Sequence, residues 1–318
     1  MDKSARIFVA GHRGMVGSAL VRRLRTDGYS AILTRTHAEL DLLDQAAVRR
    51  FFAAEAVDVV LLAAARVGGI LANSTQPADF IYQNLAIETN VIHAAYQAGV
   101  TQLVFFGSSC IYPKACAQPI EEAYLLSSAL ESTNEPYAIA KIAGLKLCEA
   151  YNRQYGTKYI ALMPTNLYGP NDNYDLHNSH VLPALIRKAH EAKLRGDATL
   201  TVWGTGTPRR EFLHVDDLAA ATAFVLEQGV PDGLLNVGVG EDLSIRELAQ
   251  RVAQAVGFHG EIVFDTSKPD GTPRKLLDVS RLARLGWRAR IGLMEGIEAT
   301  YLDFVERFGA SMLSEGTV

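Results

Sequence analysis

The chain is poor in cysteine, and its few cysteines exclude whole classes of protein. It has three cysteines in 318 residues, Cys110, Cys116 and Cys148. An odd number cannot all pair within one chain, and their spacing is not that of zinc ligands. The cysteines therefore predict neither a disulfide framework nor a zinc site, and free thiols predict a reducing, cytoplasmic location.

The sequence also lacks a charge excess and a long apolar run. Lysine and arginine number 31 against 35 acidic residues, a net charge of -4, and the basic residues are scattered. Such a chain offers no basic patch for nucleic acid or for an anionic membrane. No apolar run reaches the roughly 20 residues that a membrane helix needs. The chain opens on a strand-like "RIFVAG", so we expect neither signal peptide nor anchor. A small molecule is the expected partner.

Short β-branched segments alternate with longer amphipathic segments through the first half of the chain. The apolar segments are "ARIFVAG", "AILTRT", "VDVVLLAAA", "QLVFFGSS" and "YIALMP". Alternation of this kind is typical of right-handed βαβ units, whose central strands are buried on both faces and read continuously apolar. The pattern predicts an α/β protein with a doubly wound parallel sheet. With 48% hydrophobic residues, the chain can bury a large core.

The regular alternation breaks after Gly169-Pro170, which indicates a second, smaller lobe. "NDNYDLHNSH" is loop-like, and "SIRELAQRVAQAVG" is an isolated amphipathic helix that Ser244 and Glu247 open as a capping box. "REFLHVDDLAAATAFVLE" and "LLNVG" look like a helix and strand that return to the sheet. We predict one domain at 1–172 with 211–240 returning to it, and a C-terminal lobe from 173–210 and 241–318.

The first strand-to-helix turn, "AGHRGMVGSAL", carries Gly11, Gly14 and Gly17. Glycine suits a turn that is tight, that lets the backbone approach a pyrophosphate, and that packs helix closely on strand. The helix N-terminus adds free N–H groups and a favourable dipole. The pattern alone is weak and could be an ordinary tight turn. Its place in the first βαβ unit favours a dinucleotide site.

Arg13, Arg35 and His37 favour NADP over NAD. An NAD site usually has an acidic residue about 20 positions after the glycines, bound to the ribose 2′-OH. Here "LTRTHAELD" has Arg35 and His37 in that region, and Arg13 lies within the turn. Arginine attracts a 2′-phosphate, whereas an acid repels it. The alternative is that these are solvated surface charges. Asp41 is expected to be a local cap or an adenine contact.

"NEPYAIAKIAG" places Tyr137 and Lys141 four residues apart, on one face of a predicted helix. An ammonium near a phenol favours the phenolate, so we expect Lys141 to lower the pKa of Tyr137 from its usual value of about 10. "FFGSSCIYP" supplies Ser108 and Ser109 at the carboxyl end of a buried strand, where a hydroxyl could hold a carbonyl oxygen. The alternative is a packed ring beside a snorkelling lysine.

These segments together resemble the extended short-chain dehydrogenase/reductase family, and within it the enzymes that epimerise and reduce GDP-4-keto-6-deoxy-D-mannose. The likeness covers nearly the whole chain. It rests on "GHRGMVGSA", "AAARVGGI", "PADFIYQN", "GSSCIYPK", "NEPYAIAKIAG", "MPTNLYGP", "NSHV", "WGTGTPRREFLHVDD" and "SKPDGTPRKLLDV". It implies a Rossmann domain with NADPH, a C-terminal lobe with a GDP-sugar, and usually a homodimer. Some members have a second arginine at the position of His37.

The resemblance also implies roles for individual residues. Ser108, Tyr137 and Lys141 form the expected reductase set, and Cys110 and His180 are expected to move protons during epimerisation. The expected cofactor contacts are Gly11, His12, Arg13, Gly14, Met15, Val16, Gly17, Arg35, His37, Asp41, Ser109, Lys141, Asn166 and His180.

Epimerisation beside a ketone needs a base, a returning acid and a group that stabilises the enolate. Cys110 directly follows the serines, but as a base its thiol needs a nearby positive charge or dipole to lower its pKa. Asn178-Ser179 is a plausible N-cap, which would put His180 in the first turn of "HVLPALIRKAHEA". The helix dipole there disfavours the imidazolium and makes it a readier donor. The alternatives are a structural cysteine and a capping histidine.

Six residues of the second half are candidates for binding the sugar nucleotide. Arg187 lies almost two turns after His180, so it or Lys188 could reach a diphosphate. Trp203 could offer an aromatic surface and Arg210 a second phosphate contact. Asp270 and Lys275, in "KPDGTPRK", are weaker candidates, with a solvated charged loop as the alternative.

Two other functions fit parts of this pattern. A nucleotide-sugar 4-epimerase or 4,6-dehydratase would share the fold and the Tyr/Lys pair, but it would retain NAD, and a dehydratase would favour carboxylates where Cys110 stands. A dinucleotide-sensing regulator would use the fold for binding only, and would have no need of Ser108, Tyr137 and Lys141 together.

Overall fold

The computed structural model describes residues 1–176, 178–229 and 233–315. Its strands are β1 (Ile7–Ala10), β2 (Ile32–Leu33), β3 (Val59–Leu62), β4 (Gln102–Phe106), β5 (Lys158–Pro164), β6 (Asn166–Tyr168), β7 (Thr199–Trp203), β8 (Arg209–Arg210), β9 (Phe212–His214), β10 (Gly233–Val237), β11 (Leu243–Ser244), β12 (Glu261–Asp265) and β13 (Arg274–Lys275).

The helices are α1 (Met15–Thr26), α2 (Gln45–Ala54), α3 (Ile70–Thr75), α4 (Pro77–Gln97), α5 (Glu135–Tyr155), α6 (Val181–Arg195), α7 (Val215–Gln228), α8 (Ile245–Val256), α9 (Ser280–Arg284) and α10 (Leu293–Glu315). Short 3-10 turns span Ser109–Ile111 and Glu122–Tyr124.

A parallel sheet forms the centre of the molecule. Among the described residues it has six strands in the order β10-β5-β4-β3-β1-β2. Its inner strands are buried along their length, as their continuous apolar sequences predict. One apolar cluster joins it to α2, α4 and α5, and a second joins its other face to α1 and α7. The predicted α/β, doubly wound class is confirmed.

The strand order reverses beside β1, which creates the crevice where the candidate site lies. From β1 the chain passes to β2 on one side, and β3 then pairs with the other side of β1. The loops after β1 and β3 therefore leave in different directions. In open α/β sheets, ligands bind at this point, beyond the carboxyl ends of the strands.

A third apolar cluster, separate from the central sheet, packs α6, α8 and α10 together. Small sheets accompany it: β7 pairs with β12, and β8 lies between β11 and β13. The capping box of Ser244 and Glu247 is confirmed at the start of α8. In this arrangement β10 returns to the central sheet beside β5. The assignment of residues to two lobes stays a prediction, and part of its returning segment, 230–232, lies outside the described residues.

Glu211 connects these regions through a fully buried carboxylate. Its Oε1 accepts hydrogen bonds from the backbone N–H groups of Val239 and Gly240, just after β10. Its Oε2 accepts one from Leu277, beyond β13. A Cβ on Gly238 would lie 2.2 Å from Oε1, so only glycine lets the backbone approach so closely. Burial raises the pKa of this carboxyl, and the three backbone donors act in the opposite direction by stabilising its charged form.

Within the described residues, no helix combines the length and apolarity needed to cross a membrane. In the same residues no cluster of three or more histidine, cysteine or acidic side chains could hold a metal ion.

Replacement of Glu211 should destabilise the fold. In Glu211→Gln the amide NH₂ must face a backbone donor, so we expect a loss of about 1–3 kcal/mol in the free energy of unfolding. Denaturant unfolding measures it. Glu241→Gln, at an exposed neighbouring position, is the control and should match the parent. Equal stability of both variants would show that the carboxylate does not join these segments.

Candidate active site

A cavity of about 750 Å³ lies at the carboxyl ends of β1, β3, β4 and β5. It brings together most of the residues that the sequence predicted for cofactor and catalysis. These are Gly11, Gly14, Met15, Val16, Gly17, Arg35, His37, Asp41, Ser108, Ser109, Tyr137, Lys141, Asn166 and His180. His12, Arg13 and Cys110 are not among the residues that line it.

The glycine turn forms one wall of the cavity and fits a dinucleotide diphosphate. Gly11 has φ +84°, and a Cβ there would lie 2.7 Å from the backbone N of Ala64. A Cβ on Gly17 would lie 2.1 Å from the carbonyl oxygen of Gly11. Gly14 is the N-cap of α1 and has no side chain between the cavity and the first helical N–H groups. The backbone is therefore open to an anion at the positive end of the helix dipole.

Of the predicted 2′-phosphate contacts, Arg35 and His37 line the cavity and Arg13 does not. Nη2 of Arg35 donates to Oε1 of Glu55 at 2.6 Å, and its guanidinium stacks on the Phe51 ring at 5.3 Å. Glu55 thus holds the arginine in place and competes with a phosphate for its charge. Asp41 accepts a hydrogen bond from the N–H of Leu43 in the loop before α2 and also lines the cavity, whereas the N-cap of α2 is Asp44. The expected contact of Asp41 with adenine stays a prediction.

The lysine of the Tyr/Lys pair has a partner that the sequence did not indicate. Nζ of Lys141 lies 2.9 Å from Oε1 of Glu88 on α4, and both side chains are almost fully buried. Nζ is also 5.8 Å from the centroid of the Tyr137 ring and 4.7 Å from that of Phe105. Tyr137 and Lys141 therefore share the cavity wall, but the ammonium is paired with a carboxylate rather than with the phenol.

The expectation that Lys141 lowers the pKa of Tyr137 is wrong for this structure. Burial raises the pKa of Tyr137 well above 10, and the charges of Cys110 and Glu88 raise it further. The physical reason is that Glu88 offsets the lysine charge, while the pocket hydrates a phenolate poorly.

Ser108 and Cys110 form a compact turn after β4. The N–H of Cys110 donates to Oγ of Ser108 at 3.3 Å. The Cys110 side chain is only 7% exposed. Burial raises the pKa of its thiol, whereas the positive charge of Lys275 acts in the opposite direction. The cysteine thus has a cation in its surroundings, but the net shift does not favour a thiolate.

His180 lies one position earlier in its helix than predicted. It is itself the N-cap of α6, with extended backbone angles and no side-chain capping bond. The prediction from Asn178-Ser179 was wrong because the helix begins one residue later, at Val181. The side chain faces the cavity, and the surrounding protein lowers the pKa of the imidazole by desolvation. The pKa of His180 is lowered as predicted, but burial rather than the helix dipole lowers it.

Three of the predicted substrate residues line two further cavities. Arg187 lines a separate cavity of about 430 Å³ and donates to Glu191 and to the Tyr174 carbonyl. Lys188 and Trp203 line another of about 440 Å³, with the ammonium 4.9 Å from the indole ring.

The other three substrate candidates lie on neighbouring segments. Arg210 and Lys275 are paired across β8 and β13. Asp270 accepts hydrogen bonds from both the N–H and the hydroxyl of Thr205. Asp270 thus anchors the glycine-rich turn before β8, and its role toward a sugar stays a prediction.

Sequence reasoning missed Glu88 and Asn84, both on α4. Oδ1 of Asn84 accepts from the N–H of Arg66, and its Nδ2 donates to the Arg66 carbonyl. This fully buried amide holds the loop after β3 against the cavity. The segments "AAARVGGI" and "PADFIYQN", already noted for their resemblance, contain this contact. No short sequence motif indicates a role for Glu88.

Comparisons with known proteins agree with this geometry. The model of the NAD dependent epimerase/dehydratase family matches residues 7–238. The chain is 59% identical to the GDP-L-fucose synthase of Escherichia coli strain K12, over 95% of this chain and 97% of that protein.

Solved structures are also similar. A GDP-6-OMe-4-keto-L-xylo-heptose reductase from Campylobacter jejuni superposes with a TM-score of 0.91 and 39% identity, covering 96% of this chain and 99% of that chain. A GDP-L-fucose synthetase from Naegleria fowleri, solved with NADP bound, has a TM-score of 0.89 and 28% identity, covering 97% and 95%.

Two glycine variants should separate packing from ligand binding. Gly17→Ala forces a Cβ against the Gly11 carbonyl, so we expect about 1–3 kcal/mol of destabilisation in the ligand-free protein. Gly14→Ala meets only an ordinary contact at 3.5 Å. It should keep the parent stability but weaken NADPH binding, because its methyl group faces the cavity. Thermal unfolding and fluorescence titration measure the two effects. Equal melting temperatures for both variants would contradict the packing of this turn.

Proposed function

The chain belongs to the NAD dependent epimerase/dehydratase family, and on that premise we propose that it converts GDP-4-keto-6-deoxy-D-mannose to GDP-L-fucose by NADPH-dependent 3,5-epimerisation and 4-reduction. The observation that carries the proposal is that Ser108, Tyr137, Lys141 and His180 line the same cavity as the glycine turn. The identity to a GDP-L-fucose synthase over almost the full length supports the substrate. The cofactor is NADP(H), as in the related synthetase solved with it.

The residues of this chain have distinct tasks toward the cofactor and the ketone. The N–H groups at the start of α1 would hold the diphosphate, and Lys141 the nicotinamide ribose. When bound, NADPH supplies the hydride that reduces the C4 carbonyl. Ser108 donates a hydrogen bond to the substrate oxygen, and Tyr137 gives that oxygen its proton. The high pKa of Tyr137 keeps the phenol in the form that a reductase needs at neutral pH.

Epimerisation requires proton transfer at C3 and C5 before reduction. The Cys110 thiolate removes a proton, and His180, which lines the cavity, returns one. Lys275 is the cation that counteracts the rise in the thiol pKa. The lowered pKa of His180 makes its imidazolium a strong donor once it has formed. Ser108 and Tyr137 hold the enolate oxygen throughout.

A nucleotide-sugar 4-epimerase or dehydratase is the weaker alternative. It would share the Tyr137 and Lys141 pair, but the position beside the serines holds Cys110 rather than a carboxylate. The residues predicted for the GDP moiety and the homodimer stay predictions.

The reaction can be tested by separating its two halves. Purified protein with GDP-4-keto-6-deoxymannose in D₂O should oxidise NADPH and place deuterium at C3 and C5 of the product. Cys110→Ser should lose deuterium incorporation by about 10²-fold or more, because a positioned base contributes that much, yet still reduce the unepimerised ketone. Mass spectrometry and NADPH absorbance measure the two steps.

Cys116→Ser is the matched control for this test. Cys116 is partly exposed and donates to the Pro113 carbonyl, so its variant should incorporate deuterium at the parent rate. Normal deuterium incorporation in Cys110→Ser would disprove the base assignment. No NADPH oxidation by the parent would disprove the proposed function.

A further inference from the structure

The carboxylate of Glu88 pairs with Lys141, and the proposed reaction assigns it no role. Glu88 on α4 and Lys141 on α5 are each 1% exposed, and their charged atoms lie 2.9 Å apart. Among the described residues, neither oxygen of Glu88 accepts a hydrogen bond of regular geometry. The ammonium is therefore the group that compensates its charge, although burial still raises the pKa of the Glu88 carboxyl above its usual value.

The packing makes room for this carboxylate. A Cβ on Gly144, one turn after Lys141, would lie 2.7 Å from Oε2 of Glu88 and 2.5 Å from the Phe105 ring. A glycine in a helix interior costs about 1 kcal/mol relative to alanine, and here it lets the two helices approach. The buried carboxylate is thus built into the contact between α4 and α5.

Three titratable groups of the described residues interact electrostatically with the pair. Tyr137 and Cys148 face it from α5, and Cys110 faces it from the turn after β4. All three are neutral in their ordinary protonated forms. Within the described residues, the charges that raise the Tyr137 pKa beyond the effect of burial are those of Cys110 and Glu88, and Lys141 is the cation paired with Glu88.

We propose that Glu88 is a positioning residue for reduction, which holds the Lys141 ammonium and offsets its charge so that Tyr137 stays protonated and ready to act as an acid. This inference rests on the proposed function, in which the phenol gives a proton to the substrate oxygen. A lone ammonium near the ring would favour the phenolate, which cannot donate. Burial is the first cause of the raised Tyr137 pKa, and the charge of Glu88 acts in the same direction.

The test is a titration of the Tyr137 phenol in the ligand-free protein. The phenolate is followed by its ultraviolet absorbance, as the difference between each protein and the same protein carrying Tyr137→Phe. Glu88→Gln removes the negative charge and should move the midpoint to lower pH by about one unit or more. The basic limb of single-turnover NADPH oxidation should move in the same direction. A merely structural role would leave both midpoints in place.

Two further variants complete the experiment. Glu149→Gln changes a carboxylate on the surface of α5 that pairs with Lys146, and should not move the midpoint. Glu88→Asp keeps the charge but withdraws it from the ammonium, so a smaller shift in the same direction is expected. It is decisive if Glu88→Gln does not fold, which circular dichroism shows.

The outcomes separate this inference from the proposed function. Folded Glu88 variants that titrate at the parent midpoint would overturn the inference, even if the parent reduces the GDP-sugar. A shifted midpoint supports it even in a protein that proves inactive on that substrate, in which case the proposed function alone fails.

Discussion

The direction of the parallel strands is the constraint on which the rest of the molecule depends. Every strand of the central sheet ends at the same edge, so the glycine turn after β1, the loop after β3 and the serine turn after β4 must meet there. Glu211 fixes this edge to the segments that carry Arg210 and Lys275. The sheet thus brings residues that are far apart in the sequence together around one cavity.

Within that cavity, charge balance decides what the side chains can do. Lys141 is paired with Glu88, and burial keeps both the Tyr137 phenol and the Cys110 thiol in their protonated forms. Protonation suits the tyrosine as a donor but not the cysteine as a base. Lys275 acts against this effect at the thiol. The two halves of the proposed reaction therefore place opposite electrostatic demands on neighbouring residues.

The fold and the cofactor wall could be predicted because their signals are local. Continuous apolar strands indicate a sheet covered on both faces, and Gly11 and Gly17 lie where a Cβ would clash with backbone. Glu88 could not be predicted, since it meets Lys141 through the packing of two helices rather than through sequence spacing. The direction of the Tyr137 pKa was wrong mainly because the phenol is buried, and the charge of Glu88 adds to that effect. His180 was misplaced by one residue because capping preferences do not fix where a helix begins.

The most direct test is the rate of hydride transfer in a single turnover of Tyr137→Phe with NADPH and GDP-4-keto-6-deoxymannose. If the phenol donates the proton, the rate should fall by about 10²- to 10⁴-fold. Binding of NADPH should match that of the parent, because the phenyl ring keeps the packing on Phe80. Hydride transfer at the parent rate would contradict a reduction in which Tyr137 is the acid.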